Sequence, residues 1–350
     1  MNPLKILFVL FAFLELASCK KSTPTPSKNK KTDVYVIGSE VTSNYYVPVG
    51  VYWKNGVKVV LSDTTVMGLG SKANAITVND TDVYIAGSIN YHAVYWKNGK
   101  VASLPGGAGS EAGAITVVGT DVYVAGYSDI TGNIEPTYWK NGAPVILDDG
   151  GVGANINATA IAVSGNNVYV AGYSLLYKVN KSDPNAYPNA VFWNNGVLSV
   201  LGPSVSTASS ITPPGIANEG WINMAVSGTD VYITGALPTL SSISYWKNGV
   251  LVPLPTDPKF HYSFLNNIMI VGGDVYAAGL ANFSPAYWKN GVITTLPGDL
   301  SHPATGIAVS GNDVYVSGNT INGPVYWKND RLIQLGKYPL LAYGIAVVSH

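Results

Sequence analysis

The sequence predicts an all-β, seven-bladed β-propeller with four short antiparallel strands per blade, and three observations carry that expectation. A phrase Asp-Val-Tyr-x-x-Gly recurs, starting at Asp33, Asp82, Asp121, Asn167 (asparagine for aspartate), Asp230, Asp274 and Asp313. A second phrase, Tyr-Trp-Lys-Asn-Gly or a close variant, follows each one, with its tryptophan at Trp53, Trp96, Trp139, Trp193, Trp246, Trp288 and Trp327. Successive tryptophans stand 43, 43, 54, 53, 42 and 39 residues apart, the period of a four-stranded blade. Third, no stretch shows helical periodicity.

Each repeat resolves into strands in order, as residues 307–335 illustrate. Ile307-Ala308-Val309 is a first apolar run, Ser310-Gly311-Asn312 a turn, and Asp313 to Gly318 a second strand. Val325-Tyr326-Trp327 makes the third strand, Lys328-Asn329-Asp330 the next turn, and Leu332 to Leu335 the fourth strand. Asn-Gly and Gly-Asn pairs favour tight hairpins because both residues tolerate positive φ. Continuous apolar runs fit strands buried on both faces. The repeated aspartate is expected to accept backbone N–H bonds at the end of a turn. The repeated glycine is expected to end its strand without a side-chain clash.

The two ends of the repeat array match. It opens at Asp33-Val34-Tyr35, a second strand with no first strand before it, and closes with Gly344 to Val348, a first strand with no second after it. The last strand is therefore expected to complete the first blade, a 3+1 closure that leaves no open radial edge. Blades are expected at about 33–61 plus 344–349, then 75–104, 114–147, 160–201, 224–254, 268–296 and 307–335. A ring of this size escapes the usual limit on a single core because each blade packs only on its neighbours.

Residues before the repeats point to a compartment. Lys5 precedes an apolar run from Ile6 to Leu16, too short to span a bilayer and of signal-peptide length. The run ends Leu16-Ala17-Ser18-Cys19, which resembles the lipobox of bacterial lipoproteins. That resemblance implies a signal peptide over 1–18, lipid on Cys19, and a place in the bacterial cell envelope, on the periplasmic or surface face of the outer membrane. Residues 19–32 read as a flexible tether rich in lysine and proline. Cys19 is the single cysteine, so no intramolecular disulfide can form.

From position 32 onward there are 14 Lys and Arg against 19 Asp and Glu, a net charge of −5. Six of those lysines belong to the repeated turn and are spread around the ring. The absence of a basic stripe argues against a nucleic-acid partner. The histidines His92, His261, His302 and His350 lack metal-ligand spacing, and no phosphate loop or nucleophile elbow is present. No metal or cofactor is expected.

His92-Ala93-Val94-Tyr95-Trp96-Lys97-Asn98-Gly99 is similar to the repeat of the extracellular HAF family, as is Ala190-Val191-Phe192-Trp193-Asn194-Asn195-Gly196 running on to Leu201-Gly202. Val-Tyr-Val-x-Gly also resembles a kelch strand. The resemblance implies an extracellular propeller and brings no catalytic residues with it.

Residues repeated seven times serve the fold, so function is expected where the repeats disagree. The one–two and three–four turns are short and uniform, whereas the two–three and four–one connections vary, most of all at 173–189 and 202–222. Variable loops on a regular scaffold are where binding is placed. The first of these holds Tyr173, Tyr177 and Tyr187. The second holds Trp221, which occupies a position that is alanine in five repeats (Ala73, Ala112, Ala158, Ala304, Ala342) and leucine in one (Leu265). Trp221, with Asn74, Asn266 and Tyr343 at nearby equivalent positions, is expected to line a ligand site at the axial mouth, or else to plug the channel. Glu111 and Glu219 are the nearest acids and the candidates for general acid–base work, if they meet. The expected function is noncatalytic binding of a glycan or an envelope protein by a monomer held to the membrane through its lipid. The alternatives are a carbohydrate-active hydrolase or lyase and a scaffold for an envelope assembly.

Overall fold

The computed structural model describes residues 31–41, 48–61, 70–150, 156–174, 189–203, 222–235, 243–254, 263–299 and 302–350. Within them, all regular structure is β, and the strands form seven four-stranded antiparallel sheets. Six sheets use four consecutive strands. In the first blade the chain's last strand, Leu340–Ser349, lies beside its first, Thr32–Val41. Val34 pairs with Val347, Val36 with Ile345 and Ile37 with Gly344. This is the closure that the matching ends of the repeat array predict.

Seven hydrophobic clusters hold the ring together, and each spans two neighbouring blades. In the second blade, with strands Ser71–Asn79, Asp82–Ile89, His92–Lys97 and Lys100–Ser103, Tyr84, Ala86 and Leu104 pack against Ile115, Val124 and Trp139 of the third. Every cluster repeats this pairing, the tyrosine of one Asp-Val-Tyr meeting the tryptophan of the next blade. Tyr35 shares a cluster with Trp96, Tyr123 with Trp193, Tyr169 with Trp246, Tyr232 with Trp288 and Tyr276 with Trp327. Tyr315 and Trp53 make the last, which joins the seventh blade to the first. No repeat tryptophan is more than 3% exposed. The indole N–H groups of Trp139, Trp193 and Trp327 donate to the carbonyls of Pro105, Asp148 and Pro297, at 2.7, 2.8 and 2.7 Å. Each of those carbonyls follows the buried leucine that ends the preceding blade (Leu104, Leu147, Leu296). The tryptophans are packing between blades.

The three–four turn is closed by a cassette assembled from both phrases. Asn98 and Gly99 take φ of 51° and 79°, as a two-residue hairpin turn requires. The Asn98 Oδ1 accepts the Val83 backbone N–H at 2.9 Å, and its Nδ2 donates to Asp82 Oδ1 at 2.8 Å. Lys97 Nζ reaches Asp82 Oδ2 at 2.8 Å and lies 5.1 Å from the Tyr84 ring centroid. The aspartate thus receives side-chain donors, and the backbone N–H goes to asparagine. This corrects the expectation that the carboxylate caps the backbone. In the fourth blade both charges are missing together. Asn167 replaces the aspartate, Asn194 replaces the lysine, and Asn195 Nδ2 bonds Asn167 Oδ1 at 2.8 Å. There Phe192 stacks on Tyr169, with centroids 6.1 Å apart and planes 13° apart.

The repeated glycine has a cause in the neighbouring strand. In six of the blades the first strand bulges near its start, at Asn74, Gly113, Thr159, Asn266, Thr305 and Tyr343, where the pairing register skips a residue. In five of them the bulge drives a first-strand carbonyl onto the glycine of the second strand. A Cβ on Gly126 would stand 1.9 Å from the Glu111 carbonyl oxygen, and one on Gly87 1.9 Å from that of Lys72. The second strands run on past this glycine, to Ile89 in the second blade. Close backbone approach, and not strand ending, fixes the residue.

The cassettes predict an acid limit on stability. The Lys97 ammonium, then the Asn98 amide, hold the Asp82 carboxyl below its ordinary 3.8. Asn141 and then Lys140 do so for Asp121, and Lys328 and then Asn329 for Asp313. A carboxyl whose folded pKa is depressed contributes stability above its unfolded pKa and loses it as pH falls through the folded value. Thermal unfolding followed from pH 7 to pH 2 is expected to hold steady down to about pH 4 and to fall below it. An unfolding temperature that already drops between pH 7 and pH 5 would show that other groups dominate.

Candidate functional site at the axial mouth

One rim of the ring is plain, made of two-residue one–two and three–four turns throughout the described residues. The opposite rim carries the two–three and four–one connections. The bulged starts of the innermost strands reach this second rim, and there the repeats diverge. The position before the repeated alanine, or before Leu265 in the sixth blade, is Lys72, Glu111, Asn157, Phe264, Pro303 and Leu341 in successive described blades. Basic, acidic, amide and apolar side chains thus occupy one structural register.

Glu111 is the centre of the polar half. It lies at the start of the strand Glu111–Val118 and is only 9% exposed. Lys72 Nζ donates to its Oε2 at 3.1 Å and its Oε1 at 3.3 Å. Asn74 Nδ2 donates to Oε1 at 2.7 Å, and the Tyr127 hydroxyl donates to Oε2 at 3.2 Å. Lys72 and Asn74 come from the second blade, Glu111 and Tyr127 from the third, so the cluster straddles a blade boundary. Both carboxylate oxygens act as acceptors of charge-assisted bonds, a role suited to fixing a site's shape. In the fourth blade the corresponding pair is Asn157 and Tyr173, bonded Nδ2 to hydroxyl at 2.9 Å.

The other expected site residues are distributed as follows. Asn74 also donates to the Ala112 carbonyl at 2.9 Å. Asn266 is buried and donates to the Ala304 carbonyl at 2.8 Å, while its Oδ1 has no hydrogen-bond partner among the described residues. Tyr343 is 38% exposed, and its hydroxyl meets Ser39 Oγ at 2.6 Å. Asn74, Asn266 and Tyr343 are all bulge residues, each tied to its own or the adjacent blade. Tyr173 sits in the strand Asn167–Ser174 and is buried between the fourth and fifth blades. Cys19, Tyr177, Tyr187, Glu219 and Trp221 lie outside the described residues. Lys72, Tyr127 and Asn157 complete the polar arc. Aligning the repeats on the residue before Ala73, Ala112 and Ala158 brings out Lys72 and Asn157 beside Glu111, and the residue after the phrase glycine gives Tyr127. Among the described residues no group of three His, Cys, Asp or Glu side chains could hold a metal ion.

No protein-family model matches the sequence, and no curated protein matches it. Among solved structures it is similar to a puromycin-hydrolysing peptidase from Mycobacterium tuberculosis, at 10% identity and a TM-score of 0.53, over 87% of this chain and 52% of that one. It is also similar to YCF48 from Cyanidioschyzon merolae, at 9% identity and a TM-score of 0.47, over 81% of this chain and 97% of that one. A GH74 enzyme from Niastella koreensis matches at 15% identity and a TM-score of 0.47, over 79% of this chain and 46% of that one. The first likeness is one of fold alone, and nothing further follows from the other two. The chain spans about half the length of the peptidase.

The Glu111 cluster is expected to be worth keeping intact for stability. Glu111→Ala removes the acceptor of Lys72, Asn74 and Tyr127 and is expected to cost about 1–3 kcal/mol, whereas Glu111→Gln keeps part of the network and is expected to cost less. Denaturant unfolding of the two variants measures both. Equal stability of Glu111→Ala and wild type would show that solvent replaces the cluster.

Proposed function

We propose that this chain is a noncatalytic binding protein of the bacterial cell envelope, anchored through lipid on Cys19, that takes up a glycan at the axial mouth of its variable rim. The single observation that carries the binding site is the register before the conserved alanine, where Lys72, Glu111 and Asn157 interrupt an otherwise repeated scaffold beside one another. A buried carboxylate held by a lysine, an amide and a phenol, flanked by a second amide–phenol pair, presents fixed polar groups of the kind that bind hydroxyls. The same engagement speaks for binding over catalysis, because the Glu111 oxygens are already committed to three donor side chains. The lipobox-like run ending in Cys19 supports the envelope setting. The HAF-like repeat supports an extracellular role.

A polysaccharide array probed with wild type, Glu111→Gln and Trp221→Ala tests the reading. Wild type is expected to bind at least one polysaccharide, and both variants to bind it about tenfold or more weakly. Turnover of a bound glycan, or binding that neither variant alters, would contradict it.

A further inference from the structure

The two rims build the same turn differently. On the plain rim, wherever a two-residue turn has both residues at positive φ, the second is glycine. Gly56, Gly99, Gly142, Gly196, Gly249 and Gly291 fill this place in the three–four turns and Gly273 in a one–two turn. A Cβ on Gly99 would meet nothing within 4 Å, so the left-handed backbone and not lack of space selects glycine there. On the variable rim two turns also have both residues at positive φ, with an aromatic residue in that place. Asn90 and Tyr91 take φ of 50° and 62°, and Asn282 and Phe283 take 47° and 65°. A bulky side chain at positive φ is strained, and such strain is found where a site requires it.

The rings so placed face outward. Tyr91 is 73% exposed while its carbonyl accepts the N–H groups of Gly109 and Ser110, both at 2.9 Å, so the tip is pinned and the ring projects. Phe283 is 39% exposed. The remaining exposed aromatic rings among the described residues, Tyr338 and Tyr343, belong to the same rim. Exposed rings of this kind suit the flat apolar faces of sugar rings. Charge narrows the class further. Six lysines and six aspartates of the folded part are paired within the plain-rim cassettes, which leaves 8 basic residues against 13 acidic ones. In the described variable-rim loops Asp129, Asp148, Asp149 and Asp299 outnumber Lys337, and Lys72 is engaged by Glu111, a field that repels polyanions.

We infer that Tyr91 and Phe283 are ligand-contacting aromatics, presented by strained hairpin tips to the sugar faces of an uncharged polysaccharide. The inference rests on the rim-binding reading above and adds its contact residues and the charge class of its ligand.

Native affinity electrophoresis of the full chain tests it, with galactomannan, xyloglucan and mixed-linkage β-glucan as neutral probes and polygalacturonate as the charged one. Wild type, Tyr91→Gly, Phe283→Gly and Glu111→Gln are compared, with thermal unfolding of each. Wild type is expected to be retarded by a neutral probe and not by polygalacturonate. Each glycine variant is expected to lose affinity about tenfold, with an unfolding temperature equal to or above that of wild type because glycine relieves the turn. Unchanged retardation of both glycine variants alongside loss in Glu111→Gln would overturn the inference and leave the rim reading standing. A lower unfolding temperature in the glycine variants would assign the rings to the fold and overturn it. Retardation of wild type by polygalacturonate alone would overturn the charge class. No retardation of wild type by any probe would overturn the inference and the glycan reading together.

Discussion

The structure depends on one contact made seven times, the burial of each blade's tryptophan against the tyrosine and terminal leucine of the blade before it. A single four-stranded sheet cannot cover both of its own faces, so each blade is stable only between neighbours. The contact also explains why the two sequence phrases travel together. One supplies the tyrosine side of an interface and the other the tryptophan side, and a repeat lacking either would leave a gap on one flank. Closure follows from the same need. Without Leu340–Ser349 beside Thr32–Val41, the first blade would lack Ala342 and Ile345 of the cluster built around Trp53.

Scaffold and site are divided by rim. The plain rim repeats an aspartate–asparagine–lysine–tyrosine cassette whose parts satisfy one another, leaving little for a ligand to engage. At the variable rim the bulge that seats six of the innermost strands is kept, and the side chains around it are released from repetition. Three of the bulge residues, Asn74, Thr159 and Asn266, still stitch to a backbone carbonyl of the next blade. The residue before the conserved alanine carries no such duty, and there Lys72 and Glu111 meet across two blades.

The fold was legible in the sequence because its determinants are local and repeated. Tryptophan spacing counted the blades, Asn-Gly marked the hairpins, and the incomplete repeats at the two ends specified the closure. The cassette was only partly legible. Asp82 and Asn98 are 16 residues apart and meet only when the second and third strands pair, so an isolated aspartate beside a turn reads as a backbone cap. The glycine of the first phrase was misread for a related reason, since its cause is a carbonyl on another strand. The site was the least legible part. Glu111 was noticed as an acid near the mouth, but its partners Lys72 and Asn74 belong to another repeat, 39 and 37 residues away. Tyr91 and Phe283 carry no motif. Their oddity is a positive φ, which only a backbone reveals.

Amide hydrogen exchange on the full chain tests the closed ring most directly. The strand Thr32–Val41 is paired on both sides, so its amides are expected to be protected to the same degree as those of Asp82–Ile89 and Asp121–Ser128 in the next two blades. Fast exchange along one side of Thr32–Val41, with slow exchange in the other second strands, would mean an open edge and would contradict the account.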